Sequence, residues 1–337
     1  MSPCLPILKT LAACIARAAA CGLAVAGAAA AAQPAAPACP PSAEASLTPQ
    51  LLEQARRRPV DRGYLWRIEK DGRTSWLYGT LHLGRAPWVV PGPRIAQALR
   101  QSDAVALELD PLDTDAMQPL FAPGDPVRRA EVMTPARVER LNRQWAAACA
   151  REAGDPQLRL QPILQTTALA GYVARADGLY TDFAIDTVLA GYARRAKLPL
   201  VALESVQAQL ALFTADTARE EGEQVDDALD ELENGKLRQR MLELADMWSR
   251  GDLPRLADYE RWCECMQTPA ERAMMKKLLD DRNPHLADGI VAVHDRGQRV
   301  FAAVGALHMV GPQGLVTLLG QRGFSVTQVV PAPAAPR

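Results

Sequence analysis

Aromatic residues supply only 5% of the 337-residue chain, which leaves little material for the stacked platforms that bind nucleobases. An excess of one charge is missing as well. Lys and Arg number 38 against 39 Asp and Glu, the formal net charge is −1 and the pI is near 6.5, so no basic surface invites nucleic acid. The main apolar run, Ala18 to Ala32, is too short and too poor in Leu, Ile and Phe to make a convincing bilayer-spanning helix. Also absent are a Gly-x-Ser-x-Gly elbow, a phosphate loop and a His-Glu-x-x-His helix. The composition that remains, 48% apolar and 23% charged, is that of a soluble globular protein with ample core.

The first forty residues differ from the rest. Lys9 and Arg17 precede the small-residue run, and Ala30-Ala31-Ala32 before Gln33 satisfies the small-x-small pattern of a cleavage site. We therefore expect residues 1–32 to be an export signal, 33–60 a linker or arm, and the mature protein to be periplasmic or secreted. Leu11-Ala12-Ala13-Cys14 resembles a lipoprotein box, but Lys9 interrupts its apolar stretch, so a lipid anchor is the minor alternative. Cleavage after Ala32 would leave Cys39, Cys149, Cys263 and Cys265, an even number that an oxidising compartment would let pair. Cys263-Glu264-Cys265 is too tight for a zinc knuckle, and a bridge from one of this pair to Cys149 is the first expectation, with reduced thiols as the alternative.

Two stretches at opposite ends read alike. From Tyr64, the strand-like Tyr64–Ile68 leads through Asp71-Gly72 to Trp76-Leu77-Tyr78, then to Gly79-Thr80-Leu81-His82. Gly92-Pro93 opens a helix, and Ala104–Leu109 is a buried strand. From Gly289, Ile290–Val293 reads as a strand, Asp295-Arg296-Gly297 as a turn, and Val300–Val304 as a strand ending in Gly305-Ala306-Leu307-His308. Gly311-Pro312 then opens a helix, and Phe324-Ser325-Val326 begins a closing strand. The expected fold is α/β, with a central mixed sheet built from two ββα-type units, 64–109 and 289–330, inside a domain of 61–330. Residues 112–282 form a large helical insertion carrying one inserted strand, Leu198–Glu204. Its helices are read at Thr134-Pro135 onward, Ala168–Ala176, Ala184–Ala196 and Val206–Leu279, with breaks at Asn234-Gly235 and Gly251. Residues 331–337 are an Ala/Pro tail.

One Gly-x-x-His is a chance event; two at matching places are much less so. Each His would stand at the carboxyl edge of the sheet, where open α/β sheets place their sites. These motifs, Tyr78–His82 and Val304–His308, together with Leu107-Glu108-Leu109, Leu203-Glu204 and Arg282-Asn283, resemble the TraB/GumN family from about Tyr64 to Val330. That family is related to the Tiki metalloproteases and more distantly to erythromycin esterases and the ChaN haem-binding proteins. Where the family carries Gly-x-Asp this chain has Ala184 before Asp186, and His285 follows Arg282-Asn283 where another residue is usual. Both departures weaken a role for Asp186 and leave the paired histidines untouched.

Two imidazoles and one carboxylate can hold a divalent ion with positions left for water and substrate. His82, His308 and Glu108 are therefore the candidate ligands of a Mn, Co, Fe or Zn ion. Glu108 could equally be a strand-end carboxylate paired to an Arg. Glu204 could complete the metal sphere, act as base or orient a ligand. Arg282 could clamp a substrate carboxylate, stabilise an oxyanion, or pair with Glu204 or Asp186. The leading expectation is a metal-dependent, peptidase-like hydrolase of peptides or small-molecule esters or amides. The rivals are a metal-free esterase-like hydrolase and a non-enzymatic haem or metal binder or regulator.

Overall fold

In the computed structural model, which describes residues 39–150 and 160–331, six strands form one mixed sheet. They are β1 (Tyr64–Lys70), β2 (Arg73–Thr80), β3 (Ala104–Leu107), β4 (Leu200–Ala202), β5 (Val300–Gly305) and β6 (Ser325–Val330), in the order β4-β3-β5-β2-β1-β6. β1 and β2 form a hairpin whose turn puts Asp71 at φ 53° and Gly72 at φ 69°, the left-handed pair that matches the twist of the strands. β6 adds antiparallel to β1, whereas β2, β5, β3 and β4 run parallel. Ala104–Leu107 and Val300–Val304 are buried throughout, as expected of parallel strands covered on both faces. Helices Pro93–Arg100, Ile185–Ala196, Asn283–Asp295 and Leu315–Gln321 supply that cover through residues such as Leu99, Leu189, Ile290 and Leu319.

The second unit departs from the reading above. Ile290–Val293 is not a strand; it lies inside the helix Asn283–Asp295. Its buried positions, Asn283, Leu286, Ala287, Ile290, Val293 and His294, recur at helical spacing, and Pro284 sits in the first turn where its missing N–H does no harm. The two ends therefore share a strand, the tetrapeptide, a helix and a closing strand, but not a hairpin. Their closing strands are also placed differently, β3 beside β5 and β6 beside β1. Gly92-Pro93 does open its helix, while Gly311-Pro312 falls in a turn and the helix begins at Leu315 after Gly314.

The described part of the middle region is helical apart from β4. Thr134 caps Pro135–Ala147, and the breaks fall at Asn234-Gly235 and Gly251, both glycines at positive φ. The helix expected over Ala168–Ala176 instead spans Pro162–Ala170 and gives way to turns. A separate apolar cluster of Val132, Leu141, Trp145, Leu169, Val225 and Leu229 holds this layer together. The insertion is fastened to the sheet by Trp248, whose indole N–H donates to the Gly79 carbonyl at 2.8 Å. Gly63, at φ 73°, lies so close to that ring that a Cβ would come within 2.7 Å of it.

The cystine pairing also differs from expectation. Cys39 bonds Cys149, tying the arm to the insertion, and Cys263 bonds Cys265 locally. The arm itself carries the short helices Ala43–Ser46 and Pro49–Arg57. The expected signal, 1–32, and the tail after Pro331 lie outside the described residues. No helix among the described residues is long and apolar enough to cross a membrane.

Candidate functional site

Each of the four adjacent parallel strands delivers one polar side chain beyond its carboxyl end: Glu204 after β4, Glu108 after β3, His308 after β5 and His82 after β2. β2 and β5 lie side by side with Thr80 opposite Gly305, so the two motifs sit one residue out of step. The ladder continues past β4 through Leu203 N–H to Leu107 O at 2.8 Å and Glu204 N–H to Glu108 O at 2.9 Å, which sets the two glutamates side by side.

Gly305 is the point on which these groups converge. A Cβ there would lie 3.3 Å from Glu108 Oε1, 3.5 Å from His308 Cδ2 and 3.8 Å from His82 Nε2. Its N–H donates to Glu108 Oε1 at 2.8 Å. Glycine here gives a close approach, since a Cβ would press on Glu108 Oε1 and force it to give by a few tenths of an ångström, and both histidine rings lie beside it.

Each imidazole is held by its Nδ1. For His82 the partner is Asp186 Oδ2 at 2.8 Å, and Thr80 Oγ1 donates to the other oxygen at 2.7 Å. Asp186 lies in the first turn of the helix Ile185–Ala196, where the macrodipole favours an anion, and Ile185 N–H bonds Leu81 O at 2.9 Å. For His308 the partner is Asn283 Oδ1 at 2.6 Å, and Asn283 Nδ2 donates to Gln313 O at 2.8 Å, which fixes the amide orientation. His308 Nε2 stands 3.3 Å from Arg282 Nη1 and, since Arg only donates, must accept. His308 is therefore the neutral Nδ1–H tautomer.

The electrostatics separate the pair. Asp186 holds His82, whose side chain is 70% exposed at the cleft floor, up to about 9 despite partial desolvation. Burial pushes His308 down to about 4, and the Arg282 charge adds to this against Glu108. Burial would raise Glu108, but His82, His308, Arg282 and the Gly305 N–H outweigh it and keep the carboxyl ionised.

Arg282 spans both glutamates. Its Nη2 reaches Glu108 Oε2 at 2.6 Å and Glu204 Oε2 at 2.5 Å, its Nε reaches Glu204 Oε1 at 2.9 Å, and Nη1 donates to Leu278 O at 2.9 Å. Gln209 Nε2 bridges the same carboxylates, 3.0 Å from Glu204 and 3.3 Å from Glu108. Of the pairings open to Arg282, the one with Glu204 is present, joined by Glu108, and the one with Asp186 is not. A cavity of about 300 Å³ opens over His82, Arg282, Gly305 and His308.

This set of motifs, strand ends and partners draws on four of the six strands, and the TraB/PrgY/gumN family model matches residues 64–328. The chain belongs to the TraB/PrgY/gumN family. No curated protein and no solved structure matches it. In this family member all five residues singled out from sequence, His82, Glu108, Glu204, Arg282 and His308, meet at one sheet edge. Asp186, whose role the departures at Ala184 and His285 weaken on sequence alone, is the partner of His82. Ala184 has φ −50° and ψ 136°, a conformation open to any L-residue, so the missing glycine changes nothing. Asn283 and Gln209 were given no role. The signal for Asn283 was its place in the Arg282-Asn283 motif shared with the family, and Gln209 had none. His285 is exposed, and His294 is a core residue held by Ser75 Oγ at 2.9 Å and Lys70 O at 3.1 Å.

The donor set fits a divalent ion in part. Oxygen acceptors on both Nδ1 atoms leave the Nε2 positions for ligation, the usual arrangement of ligating histidines, but His308 Nε2 already accepts from Arg282 Nη1 at 3.3 Å, which would have to move aside for an ion. Glu108 Oε1 faces the same point, while its Oε2 is engaged by Arg282. Among the described residues no group of three His, Cys, Asp or Glu side chains stands in ready ligating geometry.

Proposed function

We propose that this TraB/PrgY/gumN member is an exported, metal-dependent hydrolase of peptides or small-molecule amides or esters. One observation carries the reading: both motif histidines have Nδ1 tied to a side-chain oxygen acceptor, and both rings converge with Glu108 Oε1 on Gly305, His82 through Nε2 and His308 through its Cδ2 edge. His82 and His308 would hold the ion, with Glu108 as the third donor. Such an ion lowers the pKa of water and polarises a carbonyl. The chain's own groups do the rest. Asp186 and Asn283 fix the imidazole orientations, and ligation would displace the proton that Asp186 helps His82 retain. Glu108 and Glu204 hold the Arg282 fork in place, Gln209 braces the two glutamates, and Arg282, on the cavity wall, can meet negative charge developing on a substrate oxygen. Export is supported by the signal-like 1–32 segment and by two cystines, bonds that persist in oxidising compartments.

A second reading follows from the opposed shifts of the histidines. Without an ion, His308 would accept a proton and His82 donate one, the separation expected of an acid–base pair. Elemental analysis of purified protein, with hydrolysis assayed before and after chelation in wild type and His308→Ala, decides between them. The metal reading expects bound ion and activity to vanish together. Full activity in His308→Ala, or wild-type activity that survives exhaustive chelation, overturns it. Amino-terminal sequencing of protein from the native envelope tests export, which an intact Met1 would refute.

A further inference from the structure

The cavity over the histidines has a second wall with no part in the chemistry above. Thr80, His82, Arg282 and His308 lie on one side; Leu83, Met241, Leu244, Leu278, Leu279 and Leu307 make the rest apolar. This wall is built into the fold. Met241 and Leu244 share a face of the helix Lys236–Arg250 with Trp248, and Trp248 is bonded to the Gly79 carbonyl of the first motif. Leu278 closes the helix Pro269–Leu278 and its carbonyl accepts from Arg282 Nη1 at 2.9 Å. One hydrogen bond thus ties each of the two helices behind the apolar face to the motif strand or to Arg282.

The Leu and Met side chains of this wall offer no hydrogen bonds to the hydroxyls of a sugar or the phosphates of a nucleotide. It suits an aliphatic group, and at about 300 Å³ it is a small pocket, at the low end of ordinary ligand sites. We propose that the Met241–Leu244–Leu278 wall is a specificity pocket for a short aliphatic side chain next to the scissile carbonyl, so that the substrates are amides of aliphatic amino-acid residues. This rests on the hydrolytic reading for its catalytic half, but the binding half stands alone and can be measured alone.

The test uses the full mature chain and two readouts. Calorimetric titration with N-acetyl-glycinamide, N-acetyl-alaninamide and N-acetyl-leucinamide measures the pocket, and kcat/KM on the p-nitroanilides of the same residues measures turnover. The leucine ligand should bind roughly 10-fold or more tighter than the glycine ligand, since one methylene in an apolar pocket is worth about 10-fold or more, and Met241→Gln with Leu278→Gln should shrink that gap to below roughly threefold. Met241→Leu should keep the gap, and Met241→Gln alone replaces the double variant if that fails to fold. Leucine-selective binding without hydrolysis keeps the pocket and overturns the hydrolytic reading. Hydrolysis without leucine preference does the reverse. Equal affinity for all three amides overturns the pocket, and tighter binding of hexanamide than of the leucine ligand would reassign it to fatty-acyl groups.

Discussion

Arg282 is the residue whose removal the structure prices most clearly. Its side chain is 13% exposed and lies between Glu108 and Glu204, which are 7% and 5% exposed. Arg282→Gln leaves two carboxylates adjacent, nearly dry, and without their shared cation. Breaking a buried pair by deleting one partner destabilises by about 3–5 kcal/mol, because the remaining charge keeps its desolvation penalty. At about 2 °C per kcal/mol for a domain of this size, Tm should fall by roughly 6–10 °C. Part of that loss should return on acidification, as one carboxylate takes up a proton and the repulsion ends. The triple variant Arg282→Met, Glu108→Gln, Glu204→Gln should recover most of the loss at neutral pH, since neutral replacements of a buried ionic cluster are often no worse than the cluster itself. Calorimetry at pH 7 and pH 5 gives both numbers. A fall in Tm of less than ~2 °C for Arg282→Gln, the shift worth about 1 kcal/mol, would refute the claim that these three charges depend on one another.

Asp186→Asn keeps a side chain of the same size beside His82 but removes its charge, so we expect roughly 10- to 100-fold loss of metal affinity or activity with Tm nearly unchanged. Unchanged metal affinity and turnover would show that Asp186 has no part in positioning His82. His294, buried between Ser75 and Lys70 O, is pushed below its ordinary value by burial, so its stabilising contribution is complete above the unfolded pKa near ~6.5 and is lost as pH falls toward the folded one. Wild-type Tm should therefore drop between pH 7 and 5 more steeply than that of His294→Gln; parallel slopes would contradict this. The Cys39–Cys149 bridge closes a loop across a sequence separation of 110, which in the chain-entropy account stabilises by up to about 4.7 kcal/mol. Cys39→Ser with Cys149→Ser should lower Tm well beyond Cys263→Ser with Cys265→Ser, whose separation is only 2, and an equal loss from the two double variants would count against that account.

The site was legible where chemistry sits on strand ends, because a buried strand with a glycine stop fixes where the next residues point. His82, His308 and Glu108 were placed this way, and so was Glu204 after its short strand. What failed was whatever required distinguishing a short apolar run in a strand from one in a helix. Ile290–Val293 is four residues long, and periodicity cannot decide over so short a window; the decisive signals, Pro284 in the first turn and the buried Leu286 and Ala287, lay upstream. Cystine connectivity is not encoded in spacing at all, and the pairing of Cys39 depends on how the arm folds back. Asn283 was visible only as part of the Arg282-Asn283 motif, with its bond to His308 unforeseen, and Gln209 entered through tertiary approach alone.

The position of β5 has a consequence for when the candidate site can first form. It lies between β3 and β2, yet it is made almost two hundred residues after β3. Until Val300–Gly305 emerges, β2 and β3 have no neighbour on their facing edges, and the two halves of the site have nothing to hold them in register. No amino-terminal fragment contains His308 or the Gly305 N–H that orients Glu108. A chain that stops short of Val300 therefore lacks one motif histidine and the strand that joins the two halves of the candidate site.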